Sequence, residues 1–95
     1  MASFYQNTTV TVTDTATNAV DADGNRVGLT IQAGDQPIYY LLCETDADEC
    51  TTANGNYLAA RETHGWTGGN TPSNRISVLR ATSTSTTVKV KHATG

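Results

Sequence analysis

The side chains of this 95-residue chain best suited to chemistry are two cysteines and two histidines. Cys43 and Cys50 enclose a six-residue acidic stretch, residues 44–49. A disulfide closing so short a loop would stabilise the fold by about 2–3 kcal/mol if its geometry were relaxed. Synthesis in a cytoplasm would instead keep both thiols reduced. The sequence leaves both states open, and it favours a solvated acidic loop over a cation site.

No metal site is predicted from these residues. Zinc ligands usually come in close sequence pairs, whereas His64 and His92 are far from each other and from the cysteines. Residues 21–25 begin like a calcium loop, but an EF-hand needs glycine at the sixth position and glutamate at the twelfth. Here Gly24 falls at the fourth position. A plain Asp-Gly turn is therefore the prediction.

No catalytic centre is predicted either. The sequence contains no GxSxG nucleophile motif, no phosphate-binding loop and no HExxH motif. No nucleophile has a credible base, and the two histidines are far apart in the sequence. We therefore predict that the protein is not an enzyme and uses no cofactor.

The composition favours a single, strand-rich domain. Hydrophobic residues make up 37% and charged residues 16% of the chain, and the remainder is rich in Thr, Ser, Asn and Gly. Threonine is β-branched and can present its hydroxyl to water from a strand. A chain of this size buries only about 60–65% of its unfolded surface, so the core is expected to be thin.

Charge is distributed unevenly along the chain. Residues 1–62 contain all nine acids and two arginines, for a net charge of −7, whereas residues 63–95 contain four cations and no acid, for +4. These charges either lie on solvated loops or match a neighbouring copy or partner surface. Four dispersed cations are too few to predict nucleic-acid binding. No membrane span or signal peptide is predicted, so we expect synthesis in a cytoplasm.

Two hydrophobic runs near the middle of the chain are expected to organise the fold. In residues 25–32 the aliphatic side chains alternate with polar ones, which is typical of a strand with one buried face. Residues 37–43 are apolar on both faces, as in a central strand or one that meets another subunit. Gly34 and Asp35 supply turn chemistry between them, which predicts an antiparallel hairpin.

Further strands are predicted on both sides of this pair, at residues 8–13, 56–61, 75–80 and 86–92. The pattern indicates an all-β fold, a small antiparallel β-sandwich or jelly-roll-like domain of six to seven strands.

The predicted divisions are an N-terminal arm at 1–7, the domain at 8–92 and a tail at 93–95. Lys89 and Lys91 would protect an exposed edge strand. The predicted core comprises Val10, Val12, Val27, Leu29, Ile31, Ile38, Tyr40, Leu42, Ile76, Val78, Val88 and Val90, with Trp66 covering one end.

Several of these segments together resemble a known class of proteins. They are a Thr/Ala-rich lead-in and residues 25–32, 37–40, 65–68, 75–80 and 88–90. In order and type they resemble small β-sandwich capsid decoration (cement) proteins and head or tail fibre proteins of tailed bacteriophages. The resemblance implies a structural virion protein that is made in the host cytoplasm, binds the major capsid protein and stabilises seams between capsomers.

The two apolar faces of residues 38–42 and the thin core predict a homo-oligomer, and the resemblance favours a trimer over a dimer. The expected contacts with other copies or with the capsid are Phe4, Tyr5, Tyr39, Leu41 and Trp66. The alternative function is a carbohydrate-binding or adhesion module that uses Trp66, Tyr39, Tyr40 and Tyr57. A linear array of aromatic rings on one sheet face would favour that alternative.

Overall fold

The computed structural model describes residues 4–45 and 47–94, which form eight β-strands. In chain order the strands are Phe4–Val12 (β1), Thr17–Val20 (β2), Arg26–Ala33 (β3), Ile38–Cys43 (β4), Asn56–Leu58 (β5), Thr63–Thr67 (β6), Arg75–Arg80 (β7) and Thr86–Thr94 (β8). A short 3-10 turn, Gly68–Asn70, follows β6. Within these residues no helix is long and apolar enough to cross a membrane.

The strands form two four-stranded antiparallel sheets. Sheet A has the order β1-β8-β3-β6, and sheet B has the order β2-β7-β4-β5. The chain passes from one sheet to the other at every connection except β4 to β5, an arrangement typical of a jelly roll. The predicted all-β sandwich is confirmed, with eight strands rather than six or seven. Residues 17–20 and 63–67, which were not among the predicted strands, also form strands.

The predicted hairpin between residues 26 and 43 is wrong. β3 pairs with β6 and β8, whereas β4 pairs with β5 and β7 in the other sheet. Gly34 does lie in a turn, but its N–H donates to the carbonyl of Thr87 on β8, 2.8 Å away, as the chain crosses between sheets. Turn-forming residues specify a change of direction, and tertiary pairing decides which sheet the next strand joins.

The predicted arm and tail are also wrong where the structure describes them. Residues 4–7 belong to β1 and pair with residues 91–94 of β8, from Phe4 opposite Thr94 to Asn7 opposite Lys91. The folded domain therefore extends from residue 4 to residue 94. Residues 1–3 and 95 lie outside the described part of the chain.

The strand predicted to be a charged edge is an interior strand. β8 lies between β1 and β3, so Lys89 and Lys91 lie on the outer face of sheet A and not on its edge. The two edges of sheet A are β1 and β6. Charge on an alternating strand marks its solvent face and does not reveal its place in the sheet.

The core lies between the sheets and matches most of the predicted set. The buried cluster contains Val12, Ala19, Leu29, Ile31, Ala33, Ile38, Tyr40, Leu58, Ile76, Val78, Val88 and Val90, with Val10, Val20, Leu42 and Trp66 partly buried against it. Val27 was predicted in this set and is 42% exposed. The pairing of β3 with β8 shifts register between Arg26 and Gly28, so a β-bulge turns Val27 outward and Arg26 inward.

Candidate interaction surfaces

A Tyr–His–Glu cluster is the arrangement in this fold that most resembles catalytic machinery. The hydroxyl of Tyr40 lies 2.8 Å from Nδ1 of His64, whose Nε2 lies 3.9 Å from the Glu62 carboxylate. Burial raises the pKa of Tyr40, and the negative charge of Glu62 raises it further. Tyr40 is only 4% exposed and packs edge-to-face against both His64 and Trp66. The cluster therefore satisfies a buried hydroxyl and closes one side of the core.

A second polar cluster holds together the end of the sandwich near the β2–β3 connection. The guanidinium of Arg26 donates to the carbonyls of Pro72 and Asn74, each at 2.9 Å, and of Asp21 at 2.7 Å. Burial lowers the pKa of Arg26, although the nearby Asp23 opposes that shift. The guanidinium thus joins two loops and the start of β3 by charge-assisted hydrogen bonds.

The acidic segment is a structural cover and not a free loop. Residues 44–55, here called the cover loop, lie across the outer face of sheet B, with Asp46 outside the described residues. The N–H of Cys50 donates to Oγ of Ser77 on β7 at 3.0 Å, and Arg75 donates to the carbonyl of Asp48. A Cβ on Gly55 would lie 2.7 Å from Cβ of Tyr39, so glycine permits the close approach to β4. The cover loop explains why β4 is apolar on both faces.

Hydrogen bonds within the cover loop fix its acidic turn. The Asp48 carboxylate accepts from the backbone N–H groups of Glu44 at 2.9 Å and Thr45 at 3.1 Å. These N–H groups, that of Thr45 first, hold the pKa of Asp48 below its usual range. The carboxylate therefore stabilises the turn. In the part of the chain that the structure describes, no three His, Cys, Asp or Glu side chains form a group suited to a metal ion.

The two cysteines are buried beneath and within the cover loop as free thiols. Burial raises the pKa of Cys43, and it raises that of Cys50 to about 11 with a further contribution from Cys43. Both groups are therefore protonated at neutral pH, and a protonated thiol is a poor nucleophile. The sequence left open whether Cys43 and Cys50 form a disulfide or stay reduced. In this structure both are free thiols.

A partly exposed apolar surface remains beside the cover loop, with one side chain open to solvent and two half-buried. Tyr39 on β4 lies opposite Tyr57 on β5 and Leu79 on β7, and we call these three residues the tyrosine patch. The two tyrosine rings meet edge-to-face, with centroids 5.8 Å apart and planes at 69°. Tyr57 is 54% exposed, which makes it one of two large apolar side chains left open to solvent in the described chain, the other being Val27. Exposed tyrosines of this kind are enriched at protein interfaces.

The structure separates the residues predicted to form an interface. Tyr39 belongs to the tyrosine patch, and Leu41 lies half-buried two residues further along the same face. Trp66 packs half-buried against the core, as predicted. It lies on β6 of sheet A, whereas Tyr39 and Leu41 lie on sheet B. The backbones of Phe4 and Tyr5 are part of β1, and their side chains are outside the described part. Tyr57 and Leu79 were missing from the predicted interface, because only strand pairing brings them beside Tyr39.

Two cations of the basic C-terminal part contact residues of the acidic N-terminal part. Arg75 contacts the cover loop and also the side-chain oxygen of Asn18 at 3.4 Å. Arg80 lies 4.0 Å from the carboxylate of Asp14. Two of the four cations in residues 63–95 therefore have partners in the acidic part of the same molecule.

Comparison with known proteins supports the fold. No protein-family profile and no curated protein matches the sequence. Among solved structures, a de novo designed double-stranded beta-helix is similar at a TM-score of 0.59 with 16% identity, covering 92% of this chain and 97% of that chain. A protein of Bacillus endospore appendages, described as a family of disulfide-linked pili, is similar at 0.59 with 9% identity, covering 98% and 86%. At such identities the likeness establishes a shared β-sandwich architecture.

Proposed function

We propose that this chain is a non-enzymatic structural protein of a phage virion that binds the capsid surface as a decoration protein and stabilises seams between capsomers. The observation that carries the proposal is the tyrosine patch on the outer face of sheet B. It presents the open ring of Tyr57 beside the half-buried Tyr39 and Leu79, on three paired strands of one sheet. The adjacent cover loop is held to the same sheet by the hydrogen bond from Cys50 to Ser77. Aromatic side chains held this way lose little conformational entropy on binding another protein.

Two further observations agree with this function. Jelly rolls are a common architecture of viral capsid domains, although a fold alone does not specify a function. The chain also retains two reduced, buried thiols, which fits assembly in a host cytoplasm. The proposed partner is the major capsid protein, and the proposed location is the outer surface of the particle.

The carbohydrate-binding alternative has less support from the geometry. It required a linear array of aromatic rings on one sheet face. Tyr40 and Trp66 lie toward the core, whereas Tyr39 and Tyr57 lie on the outer face of sheet B. Those two outer rings are steeply inclined to each other, so they do not form a flat platform for a sugar chain.

Replacing Tyr57 tests the tyrosine patch. We expect Tyr57→Ser to weaken attachment to decoration-free heads of the phage that encodes the chain by at least about tenfold, because exposed aromatic anchors often dominate binding energy. Val27→Ser is the matched control, since it removes the other exposed large apolar side chain, on sheet A. Attachment is measured by co-sedimentation, with circular dichroism to verify folding. Equal effects of the two substitutions would reject the patch as the binding surface, and wild-type protein that never attaches would reject the function.

A further inference from the structure

The free edge of β1 differs from every other sheet edge in the described fold. Each sheet has two edge strands. In sheet A, the edge strand β1 pairs with β8 on one side and with no described strand on the other. The register between them is unbroken over nine residue pairs, from Phe4 opposite Thr94 to Val12 opposite Thr86. The backbone groups of β1 that point away from β8 therefore form a long, regular row of hydrogen-bonding groups.

The other three edge strands show features that limit pairing with another chain. β5 has three residues, and β2 has four with a register shift in its pairing. β6 has five residues, including Gly65 at its centre. Short edge strands and bulges are the devices by which proteins prevent edge-to-edge association.

β1 has none of these devices. Its sequence, FYQNTTVTV, contains no charged residue, no proline and no glycine. It is rich in aromatic and β-branched residues, which favour strand pairing. The lysines that could have protected an edge lie on the adjacent interior strand, β8.

The space beside this edge is open. A hollow of about 340 Å³ lies between β1 and the edge of sheet B, lined by Gln6 and Thr8 on one side and by residues 18–23 on the other. The side chains of Asn7, Thr9 and Thr11 are exposed. The hollow separates β1 from sheet B, and no described strand hydrogen-bonds to the free edge of β1, so a partner strand can approach in the plane of sheet A.

We propose that β1 pairs antiparallel with β1 of a second copy, joining two A sheets into one continuous eight-stranded sheet. An antiparallel pair of identical strands is self-complementary under a two-fold axis, so the assembly closes at two copies. The proposal therefore favours a dimer over the trimer that the resemblance implied. It goes beyond the proposed function and is independent of it, because the tyrosine patch is on the other sheet.

Electrostatics permit this pairing. β1 brings no charge to the interface. The lysines of the two β8 strands would be three strand spacings apart, or about 14 Å. That separation exceeds the Debye length of about 8 Å at physiological ionic strength, so their repulsion is largely screened. The β-branched threonine and valine side chains of the two strands would also form favourable cross-strand pairs.

A lysine placed on the edge provides the test. We expect wild-type protein to sediment as a dimer at high micromolar concentration, and Thr8→Lys to raise the dimer dissociation constant at least about tenfold. Thr8 is exposed and lines the hollow between β1 and sheet B, so a lysine there does not disturb the core. Thr11→Lys, which faces the uncharged Thr87, is a second variant with the same expected effect. Thr63→Lys makes the same change at an exposed position on the other edge of sheet A and should leave the dimer unchanged.

Hydrogen exchange provides a readout specific to the strand. In the wild-type dimer, the β1 amides that point away from β8 should be protected, and in Thr8→Lys those same alternate amides should exchange fast while the rest stay protected. A wild-type monomer would overturn the proposal. The proposal would also be overturned if Thr63→Lys raised the dimer dissociation constant as much as Thr8→Lys does. A dimer whose outward β1 amides exchange as freely as those of a monomer would overturn it as well.

Discussion

Leu29→Ala is expected to lower the free energy of unfolding by about 2–5 kcal/mol, because truncating a buried leucine removes apolar contacts and leaves a cavity. Leu29 is 1% exposed and lies on β3 between His92 of β8 and Trp66 of β6. Small domains have a total stability of about 5–15 kcal/mol, so this loss is a large fraction of it. Urea denaturation followed by circular dichroism measures the change.

Val27→Ala is the control for this substitution. Both residues lie on β3, two positions apart, where simple alternation would bury both. The bulge turns Val27 outward, so its truncation should change the free energy of unfolding by no more than about 0.5 kcal/mol. A loss of similar size for the two variants would contradict the bulge and the assignment of strand faces.

Arg26→Ala is expected to reduce stability by about 2–4 kcal/mol, because each buried carbonyl that loses its donor costs about 1–3 kcal/mol and some are rehydrated. Arg26 is 5% exposed, and its guanidinium binds three carbonyls from two different loops. Arg26→Lys should recover only part of the loss, since an ammonium group lacks the planar fork of donors. Thermal and urea unfolding both report the effect.

Arg61→Gln is the matched control for the arginine. Arg61 forms an exposed ion pair with Asp35 at 3.1 Å, with side chains 78% and 82% exposed. Such surface pairs contribute about 0.2–1 kcal/mol. If Arg26→Ala lowered the free energy of unfolding by as little as Arg61→Gln does, the buried guanidinium would not be a structural link between the loops.

The strand pattern could be read from the sequence because it depends on local alternation. Leu29 and Ile31 on β3, and Val88 and Val90 on β8, alternate with polar residues and are buried as predicted. The position of each strand in its sheet could not be read in this way. Whether Gly34 begins a hairpin or a crossover depends on contacts with Thr87, which is far away in the sequence.

The same limit applies to the surfaces. The two apolar faces of β4 showed that something covers its second face, and a neighbouring subunit was one explanation. The cover is the chain's own loop, in which the N–H of Cys50 donates a hydrogen bond to Ser77. Because Gly55 has no side chain, the loop can also pack closely against β4. Likewise, the outward turn of Val27 results from pairing with β8, so no property of the residues around it indicates the bulge.

The proposal that this chain decorates a phage capsid is tested most directly by quantitative mass spectrometry of purified virions of the phage that encodes it. The account predicts that the chain co-purifies with infectious particles in many copies, at a constant ratio to the major capsid protein, and remains after washing. Absence from the particles, or presence only in a trace that varies between preparations, would contradict it.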